Sequence, residues 1–204
     1  MAWDKAERMR SLEQKVDSGE VDREILPIVE CINSNPDYFT TSSCSGRIVL
    51  IEMPSLGDKE EAEFLGKWHG PVEVEEVREA FSKAKGDTIV FLLAQSPIIH
   101  VRCRSLKSAV KLRNTAVDSG LKYSTLKSLT LSPDEKPEKI VVEILSSENI
   151  HVPVARGRRF FPGDEYLTFL VVNANSALNR AREKLERLYQ KLAQSSISSM
   201  SFGK

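Results

Sequence analysis

Two similar stretches, each with two short β-rich runs and then a helix, constrain the fold of this chain most strongly. A β-hairpin typically appears in a sequence as two runs rich in β-branched and aromatic residues, with a few polar residues between the runs. Apolar residues at spacings of three and four indicate a helix after each pair. Hairpins followed by helices pack as an antiparallel or mixed sheet covered by helices, which predicts an α+β fold made of two hairpin-helix units. The paired runs are 88–95 with 98–104 and 140–145 with 150–155, and the helices after them are 105–119 and 164–194.

The rest of the chain is predicted to join the same domain. A chain of 204 residues, of which 41% are hydrophobic, can bury one substantial core. We therefore expect a single domain over 1–194 with N-terminal helices, and a flexible tail over the serine-rich residues 195–204. An acidic loop is expected over 54–71. The further predicted elements are helices at 4–17, 22–34 and 73–85 and a strand at 47–53.

Apolar runs and cysteines together predict a cytosolic protein. The longest apolar stretches, such as 89–94, are far shorter than the ~20 residues that a membrane span needs. The first residues contain no apolar region of the kind that a signal peptide requires. Cys31, Cys44 and Cys103 are an odd number without close pairing, which favours a reducing compartment over a disulfide framework.

Residues 38–47 form an unusually hydroxyl-rich segment that no hydrophobic core requires. Small hydroxylated residues before a glycine can turn several backbone N–H groups toward one point, and an arginine adds a planar fork for phosphate or carboxylate. The segment can therefore be a ligand cradle. Composition alone favours the alternative, a polar loop whose hydroxyls bond their own backbone. The candidate binding residues in it are Thr41, Ser42, Ser43, Ser45, Gly46 and Arg47.

Basic residues are clustered although the net charge is zero. Between Arg102 and Lys127 there are seven basic residues against the single acid Asp118, and a second cluster comprises Arg156, Arg158 and Arg159. Such clusters suit a polyanion, because each phosphate contact releases counterions. Helix surfaces are also commonly rich in Lys and Arg, and that explanation stays open.

Alternation along run 98–104 gives its two faces different chemistry. Ile99, Val101 and Cys103 point one way as core residues, and His100, Arg102 and Arg104 point the other. The second face could hold a phosphate backbone while His100 handles a proton, although a solvated strand face is an equally good interpretation.

The sequence predicts no metal site but suggests a second polar candidate in a loop. His100 and Cys103 lie on opposite faces, and no Cys-x-x-Cys or His-x-x-x-His pair occurs. Trp68 and His69 fall in the predicted acidic loop, where an indole can stack on a nucleobase. Gly-x-Gly-x-x-Gly and Gly-x-x-x-x-Gly-Lys-Ser/Thr motifs are absent, so any cofactor must bind by a geometry other than the usual nucleotide-binding loops.

The hydroxyl-rich segment and several shorter motifs resemble the wybutosine-synthesizing tRNA methyltransferase family, the third enzyme class of the wyosine pathway. The resemblance spans most of the chain from about residue 22 to residue 189 and is most specific in its first segment. The matching segments are 37–47 (Asp-Tyr-Phe-Thr-Thr-Ser-Ser-Cys-Ser-Gly-Arg), 100–104, 118–120, 152–153, 165–166 and 173–175.

The resemblance implies methyl transfer from S-adenosylmethionine to the N-4 nitrogen of 4-demethylwyosine, or its side-chain-bearing derivative, at position 37 of phenylalanine tRNA. It also implies a fold unlike that of doubly wound methyltransferases, an anticodon loop as partner, and no metal or membrane. Cofactor carboxylate or RNA phosphate would bind Ser43, Ser45 and Arg47, with Thr41, Ser42 and Gly46 completing the cradle. The other implied roles are proton acceptance by His100 or His69, orientation of a partner by Asp118, and RNA contacts by Trp68, Arg102 and Arg104.

Two other functions stay open at this point. One is a non-catalytic RNA-binding module that uses the same basic strand and cradle. The other is an enzyme that acts on small molecules by another reaction, whose basic clusters serve only solubility.

Overall fold

The computed structural model describes residues 3–19, 21–55, 61–134 and 137–201. Within these ranges the chain forms five α-helices, a short 3-10 helix at Arg23–Ile25, and nine strands in two antiparallel sheets. The helices are α1 (Lys5–Asp17), α2 (Leu26–Ser34), α3 (Val74–Phe81), α4 (Leu106–Asp118) and α5 (Asp164–Ser201). The strands are β1 (Tyr38–Cys44), β2 (Arg47–Met53), β3 (Glu63–Trp68), β4 (Ile89–Gln95), β5 (Ile98–Cys103), β6 (Thr125–Leu131), β7 (Pro137–Leu145), β8 (Ile150–Arg156) and β9 (Arg159–Phe160).

These elements group into two compact units, each assembled from separate stretches of chain. Unit 1 comprises Met1–Ser45, Pro97–Ser147 and Arg182–Lys204, and unit 2 comprises Gly46–Ser96 and Glu148–Ala181. The first part of α5 therefore belongs to unit 2 and its second part to unit 1. Whether residues 1–194 fold as one domain stays a prediction.

Unit 1 contains a four-stranded sheet in the order β1-β5-β7-β6. Helices α2, α4 and the second part of α5 pack on one face of it, against alternate residues such as Val101 of β5 and Val142 of β7. Helix α4 begins at a capping box in which Ser105 Oγ accepts a hydrogen bond from the Ser108 N–H. Because side chains alternate along a strand, His100 and Arg102 lie on the face of the sheet away from these helices.

Unit 2 contains a five-stranded sheet in the order β3-β2-β4-β8-β9. Helix α3 and the first part of α5 pack on one face, where Leu50 and Leu92 are fully buried. Val49 and Phe91 form a smaller apolar cluster on the other face. Strand β2 is apolar on both faces for this reason, since alternate residues enter two different clusters.

The α+β class, the antiparallel sheet and the absence of a doubly wound fold are confirmed, but the two predicted hairpins are wrong. Strand β4 pairs with β2 and β8, whereas β5 pairs with β1 and β7. Strands β7 and β8 likewise belong to different sheets. The short connections at 96–97 and 146–149 therefore lead from one sheet to the other instead of forming hairpin turns.

Three local predictions also need correction. The hydroxyl-rich segment is mostly a strand, β1, and the predicted acidic loop contains strand β3. Strand β6 was not predicted, because its alternating polar residues resemble a loop. Helix α5 continues to Ser201, within the predicted tail, and 202–204 lie outside the described residues. No helix in the described ranges combines the length and apolar character needed to cross a membrane.

Candidate active site

Strand β1 brings the hydroxyl-rich segment directly beside His100 of β5. The two strands are antiparallel, and Ser42 lies opposite His100. A bulge between Thr40 and Ser42 inserts Thr41 as an extra residue, and its Oγ1 donates a hydrogen bond to the His100 carbonyl at 3.3 Å. β-bulges change which side chain faces a given direction, so this one places Ser42, and not Thr41, opposite the imidazole.

Four polar side chains form a continuous network across the four strands of the sheet of unit 1. Ser42 Oγ lies 2.7 Å from His100 Nδ1, and His100 Nε2 lies 2.9 Å from Glu143 Oε1. Lys127, at a bulge in β6, approaches the same Glu143 oxygen with its Nζ at 2.8 Å. The network therefore runs from hydroxyl to imidazole to carboxylate to ammonium.

Glu143 is the ionised anchor of this network. Its side chain is only 10% exposed, and burial alone would raise the pKa of its carboxyl group. Hydrogen bonds from Lys127 and His100, with the charge of Lys127, outweigh burial and hold the pKa below the ordinary 4.5. Because the ionised carboxylate can only accept, His100 Nε2 carries the hydrogen and donates it to Glu143. In the neutral ring Nδ1 then has no hydrogen, so it accepts the hydrogen bond from the Ser42 hydroxyl. This arrangement favours proton acceptance at Nδ1.

The two arginines after His100 have very different environments. Arg102 is only 7% exposed, and it lies between Phe39 of β1 and Val141 of β7. Its Nη2 donates to the Glu138 carbonyl, while Nη1 is buried without a hydrogen-bond partner among the described residues. Burial lowers the pKa of this guanidinium from its ordinary value. Arg104 is exposed, so it alone of the two is fully available to solvent.

A cleft of about 210 Å³ separates β1 from helix α1 in unit 1. The hydroxyl-bearing residues Thr41, Ser42 and Ser43 line one side of it. Arg8 and Lys15 line the other side, which makes the cleft a basic, hydroxyl-rich recess suited to a carboxylate or phosphate. Ser42 lies both in the cleft and in the polar network, so a ligand in the cleft would lie near the group that can accept a proton.

Ser45 and Gly46 lie where the chain leaves β1, and Ser45 is tied into the protein. Ser45 is 2% exposed, and its hydroxyl donates to Asp22 Oδ2 at 2.5 Å. Its carbonyl accepts a hydrogen bond from Arg182 Nε, and Arg182 also pairs with Glu24 at 2.6 Å. Gly46 has a φ of +84°, a left-handed conformation that glycine adopts without strain. Both residues therefore fix the end of β1.

Asp118 is not brought near His100. It ends helix α4, which packs on the face of the sheet opposite to His100. Its carbonyl oxygen accepts a hydrogen bond from Lys191 Nζ at 2.7 Å. We therefore leave Asp118 out of the chemistry proposed below.

The other predicted site residues belong to unit 2. Arg47 Nε donates to Gln95 Oε1 at 2.9 Å, and its guanidinium carbon lies 5.6 Å from the centre of the Phe64 ring. Trp68 ends β3 and its ring lies against Gly66, where a Cβ would come within 2.3 Å of the indole. Trp68 also packs against the core of unit 2, and half-buried His69 follows it. The indole is thus held in place rather than swinging freely.

Sequence reasoning missed four residues of the site. Glu143 could have been noticed, since it is a single acid within the apolar run 140–145. Lys127 was recorded only as part of the basic cluster. Arg8 and Lys15 gave no signal, because basic residues on a polar helix are common. Across the described ranges, no group of three or more His, Cys, Asp or Glu side chains is arranged to hold a metal ion.

The fold and the site define an α+β protein outside the doubly wound class, with a Ser-His-Glu-Lys polar network beside a basic cleft. Residues 3–194 match the model of the family described as methyltransferase TYW3, and the chain belongs to this family. The resemblance found in the sequence is thereby confirmed, and an enzyme is favoured over a non-catalytic module.

Relatives with assigned names cover nearly the whole chain. A Pyrococcus horikoshii protein named tRNA(Phe) 7-((3-amino-3-carboxypropyl)-4-demethylwyosine(37)-N(4))-methyltransferase 1 is 46% identical over 188 residues, or 92% of each chain. A Methanocaldococcus jannaschii protein, named tRNA(Phe) 7-((3-amino-3-carboxypropyl)-4-demethylwyosine(37)-N(4))-methyltransferase, is 37% identical over 93% of this chain and 95% of its own.

Solved structures share the fold. PH1069 protein from Pyrococcus horikoshii superposes with a TM-score of 0.85 at 46% identity, covering 92% of this chain and 93% of its own. A hypothetical protein from Aeropyrum pernix gives a TM-score of 0.71 at 26% identity, covering 85% of this chain and 98% of its own.

Proposed function

We propose that this protein transfers a methyl group from S-adenosylmethionine to the N-4 nitrogen of 7-(3-amino-3-carboxypropyl)-4-demethylwyosine at position 37 of phenylalanine tRNA. The observation that carries the proposal is the near-complete alignment, at up to 46% identity, with relatives named for this reaction. We also propose that the protein is located in the cytosol, because its three cysteines are free thiols, as is typical of a reducing compartment.

His100 is the proposed proton acceptor. A ring nitrogen that gains a methyl group must lose its proton, and a positioned base speeds such a step by about 10²- to 10⁴-fold. Nδ1 of His100 takes the proton, either directly or through the Ser42 hydroxyl, which gives up its own proton as it receives another. The imidazolium that results is stabilised by the Glu143 carboxylate at 2.9 Å. His69 remains the alternative acceptor in unit 2.

The cleft between α1 and β1 is proposed to bind the cofactor carboxylate. S-Adenosylmethionine supplies an electrophilic methyl group on its sulfonium. Its amino acid carboxylate suits a recess lined by hydroxyls and by Arg8 and Lys15. Ser43 is the proposed hydroxyl donor to the carboxylate. The hydroxyl hydrogens of Thr41 and Ser42 point to His100, so their oxygens are proposed to accept from the cofactor ammonium group. Ser45 and Gly46 contribute by fixing the strand that carries them.

Four further residues have proposed anion or RNA contacts. Arg104 is exposed and is proposed to bind the anticodon-loop backbone. Arg47, which Gln95 orients, is proposed to bind a phosphate or the cofactor carboxylate. Trp68 is proposed to stack on a base. Arg102 is more deeply buried than a contact with the RNA backbone requires. Its Nη1 is proposed to donate a hydrogen bond to an acceptor atom of the RNA or the cofactor.

Mass spectrometry of the tRNA base tests the function. Purified protein is incubated with S-adenosylmethionine and phenylalanine tRNA that carries the unmethylated derivative, and the tRNA is then digested. One added methyl group at N-4 is expected. Calorimetry with each ligand separates the alternatives, because the methyltransferase binds cofactor and tRNA, whereas an RNA-binding module binds tRNA only. No methyl transfer together with no cofactor binding would reject the proposal.

A further inference from the structure

An exposed aromatic surface on unit 2 is not explained by the core or by the proposed site. Helix α5 buries one face against the sheet of unit 2 through residues such as Leu167, Leu170 and Leu178. Its other face should be polar in a helix that only covers a sheet. That face instead carries Tyr166, Phe169 and Val172, which are 51%, 61% and 60% exposed.

The aromatic side chains on this helix are arranged as a platform. The rings of Tyr166 and Phe169 are nearly parallel, with centroids 6.4 Å apart and an interplanar angle of 19°. Residues 166 to 172 are seven residues of helix, and the six steps between the first and the last rise about 9 Å at 1.5 Å per residue. The platform is therefore long enough to present more than one aromatic face to a ligand.

The segment that leads into α5 adds a cation and a third aromatic ring. Phe161 is 57% exposed, and its backbone N–H donates to the Val154 carbonyl at 2.9 Å. The Arg159 guanidinium carbon lies 5.4 Å from the centre of the Phe161 ring. A guanidinium over an aromatic ring is a pre-oriented pair, because the ring limits the conformations of the long side chain. The hairpin formed by β8 and β9 thus holds this pair on a fixed backbone.

The same hairpin is strongly basic. Arg156, Arg158 and Arg159 all lie within four residues and are exposed. The only nearby ion pair recorded among the described residues joins Arg156 to Asp87 at 3.7 Å, and both side chains are largely exposed. Exposed pairs of this kind are weak, so the hairpin keeps its positive character.

We propose that the platform of Phe161, Tyr166, Phe169 and Val172, with the arginines of the β8–β9 hairpin, is a docking surface for single-stranded or looped parts of the substrate tRNA. Bases stack on aromatic rings and on arginine, and nearby guanidiniums bind the phosphate backbone. A second copy of the chain on this surface would have to bury the same arginines, whereas an RNA backbone neutralises them. The inference rests on the proposed function, because it assigns this surface to its tRNA.

Binding to an unmodified phenylalanine tRNA transcript tests the surface. Because stacking of one base on an aromatic side chain contributes substantially to the binding free energy, Phe169→Ala should raise the Kd for tRNA by about 5- to 100-fold. The salt dependence of that Kd should not change, because the variant removes no charge. Arg159→Gln should raise the Kd and also reduce the slope of log Kd against log salt by roughly one. Tyr123→Ala is the control, because Tyr123 is 61% exposed in unit 1.

The outcomes separate this inference from the proposed function. With saturating tRNA, both variants should keep the wild-type kcat and show a raised KM for tRNA. Unchanged Kd values in both variants, with wild-type methylation intact, would overturn the docking surface and leave the proposed function standing. Sedimentation that shows a wild-type dimer broken by Phe169→Ala, with unchanged tRNA binding, would assign the surface to self-association and also overturn it. Failure of the wild type to bind tRNA would defeat the proposed function itself.

Discussion

Replacing Glu143 by Gln removes one charge from the polar network while keeping its shape. Both His100 Nε2 and Lys127 Nζ contact the same oxygen, Oε1. The carbonyl oxygen of Gln can take that position and still accept both hydrogen bonds. The variant therefore tests whether the negative charge assists proton acceptance, apart from any loss of geometry.

The magnitude follows from the contact that is lost. Hydrogen bonds to charged groups contribute about 1.5–3 kcal/mol. His100 is 26% exposed and shares the oxygen with Lys127, so we take the lower end, about 1.5 kcal/mol, which corresponds to at most roughly tenfold in rate. A neutral amide stabilises the imidazolium less than a carboxylate does. The rate of methyl transfer should therefore fall by about 3- to 10-fold.

Steady-state methylation of the tRNA by the wild type and the variant is the assay. The KM for tRNA and cofactor should not change, because Glu143 is nearly buried. Glu138→Gln is the matched control, since Glu138 is an exposed acid on the same strand. A kcat for Glu143→Gln equal to that of the wild type, or an equal loss of kcat in the control, would refute the proposed relay through His100.

Three further predictions address stability and anion binding. Gly66→Ala should destabilise the protein by about 1–3 kcal/mol in urea unfolding, because the new Cβ meets the Trp68 ring. Gly70→Ala is its control, because the new Cβ meets nothing within 4 Å, and it should change the stability by no more than about 0.5 kcal/mol. Because the pKa of Glu143 is lowered on folding, its ionisation stabilises the protein above about pH 4.5 and this contribution disappears as the pH falls through the folded pKa. The stability difference between wild type and Glu143→Gln should thus shrink in acid, and a constant difference from pH 7 to pH 3 would contradict this. Arg47→Ala should abolish most methylation, with a loss of about 10- to 100-fold in kcat/KM and an unchanged circular dichroism spectrum; near-normal turnover would exclude Arg47 from anion binding.

The face of the sheet on which each side chain of run 98–104 lies was predictable from sequence, because it depends only on the alternation of side chains along a strand. The pattern of run 98–104 assigned Ile99, Val101 and Cys103 to the core, and all three pack in the core of unit 1. The same alternation placed His100 and Arg102 on the opposite face. It could not show that Arg102 is buried there, because burial depends on what the neighbouring strands place around it.

Strand pairing was not predictable, because a short connection does not identify the partner of a strand. Ser96 and Pro97 read as a hairpin turn, yet they lie where the chain passes from unit 2 to unit 1. The true partner of β5 on one side is β1, which lies more than fifty residues earlier in the chain. Local propensity carries no information about such a distant partner.

The polar network was missed for the same reason. Glu143 faces His100 only because β7 lies beside β5 in one particular register, and a shift by one residue would move its side chain to the core face. Ser42 faces His100 only because of the bulge at Thr41. A bulge changes the register by one residue and leaves almost no trace in the sequence.

The single-turnover rate of methyl transfer in His100→Asn tests the central claim most directly. The measurement uses saturating cofactor and modified tRNA, with His151→Asn as control, since His151 is an exposed histidine of unit 2. The proposed proton acceptor predicts a loss of about 10²- to 10⁴-fold with an unchanged Kd for tRNA, and no loss in the control. A His100→Asn rate within a few-fold of the wild type would contradict the claim that His100 accepts the proton.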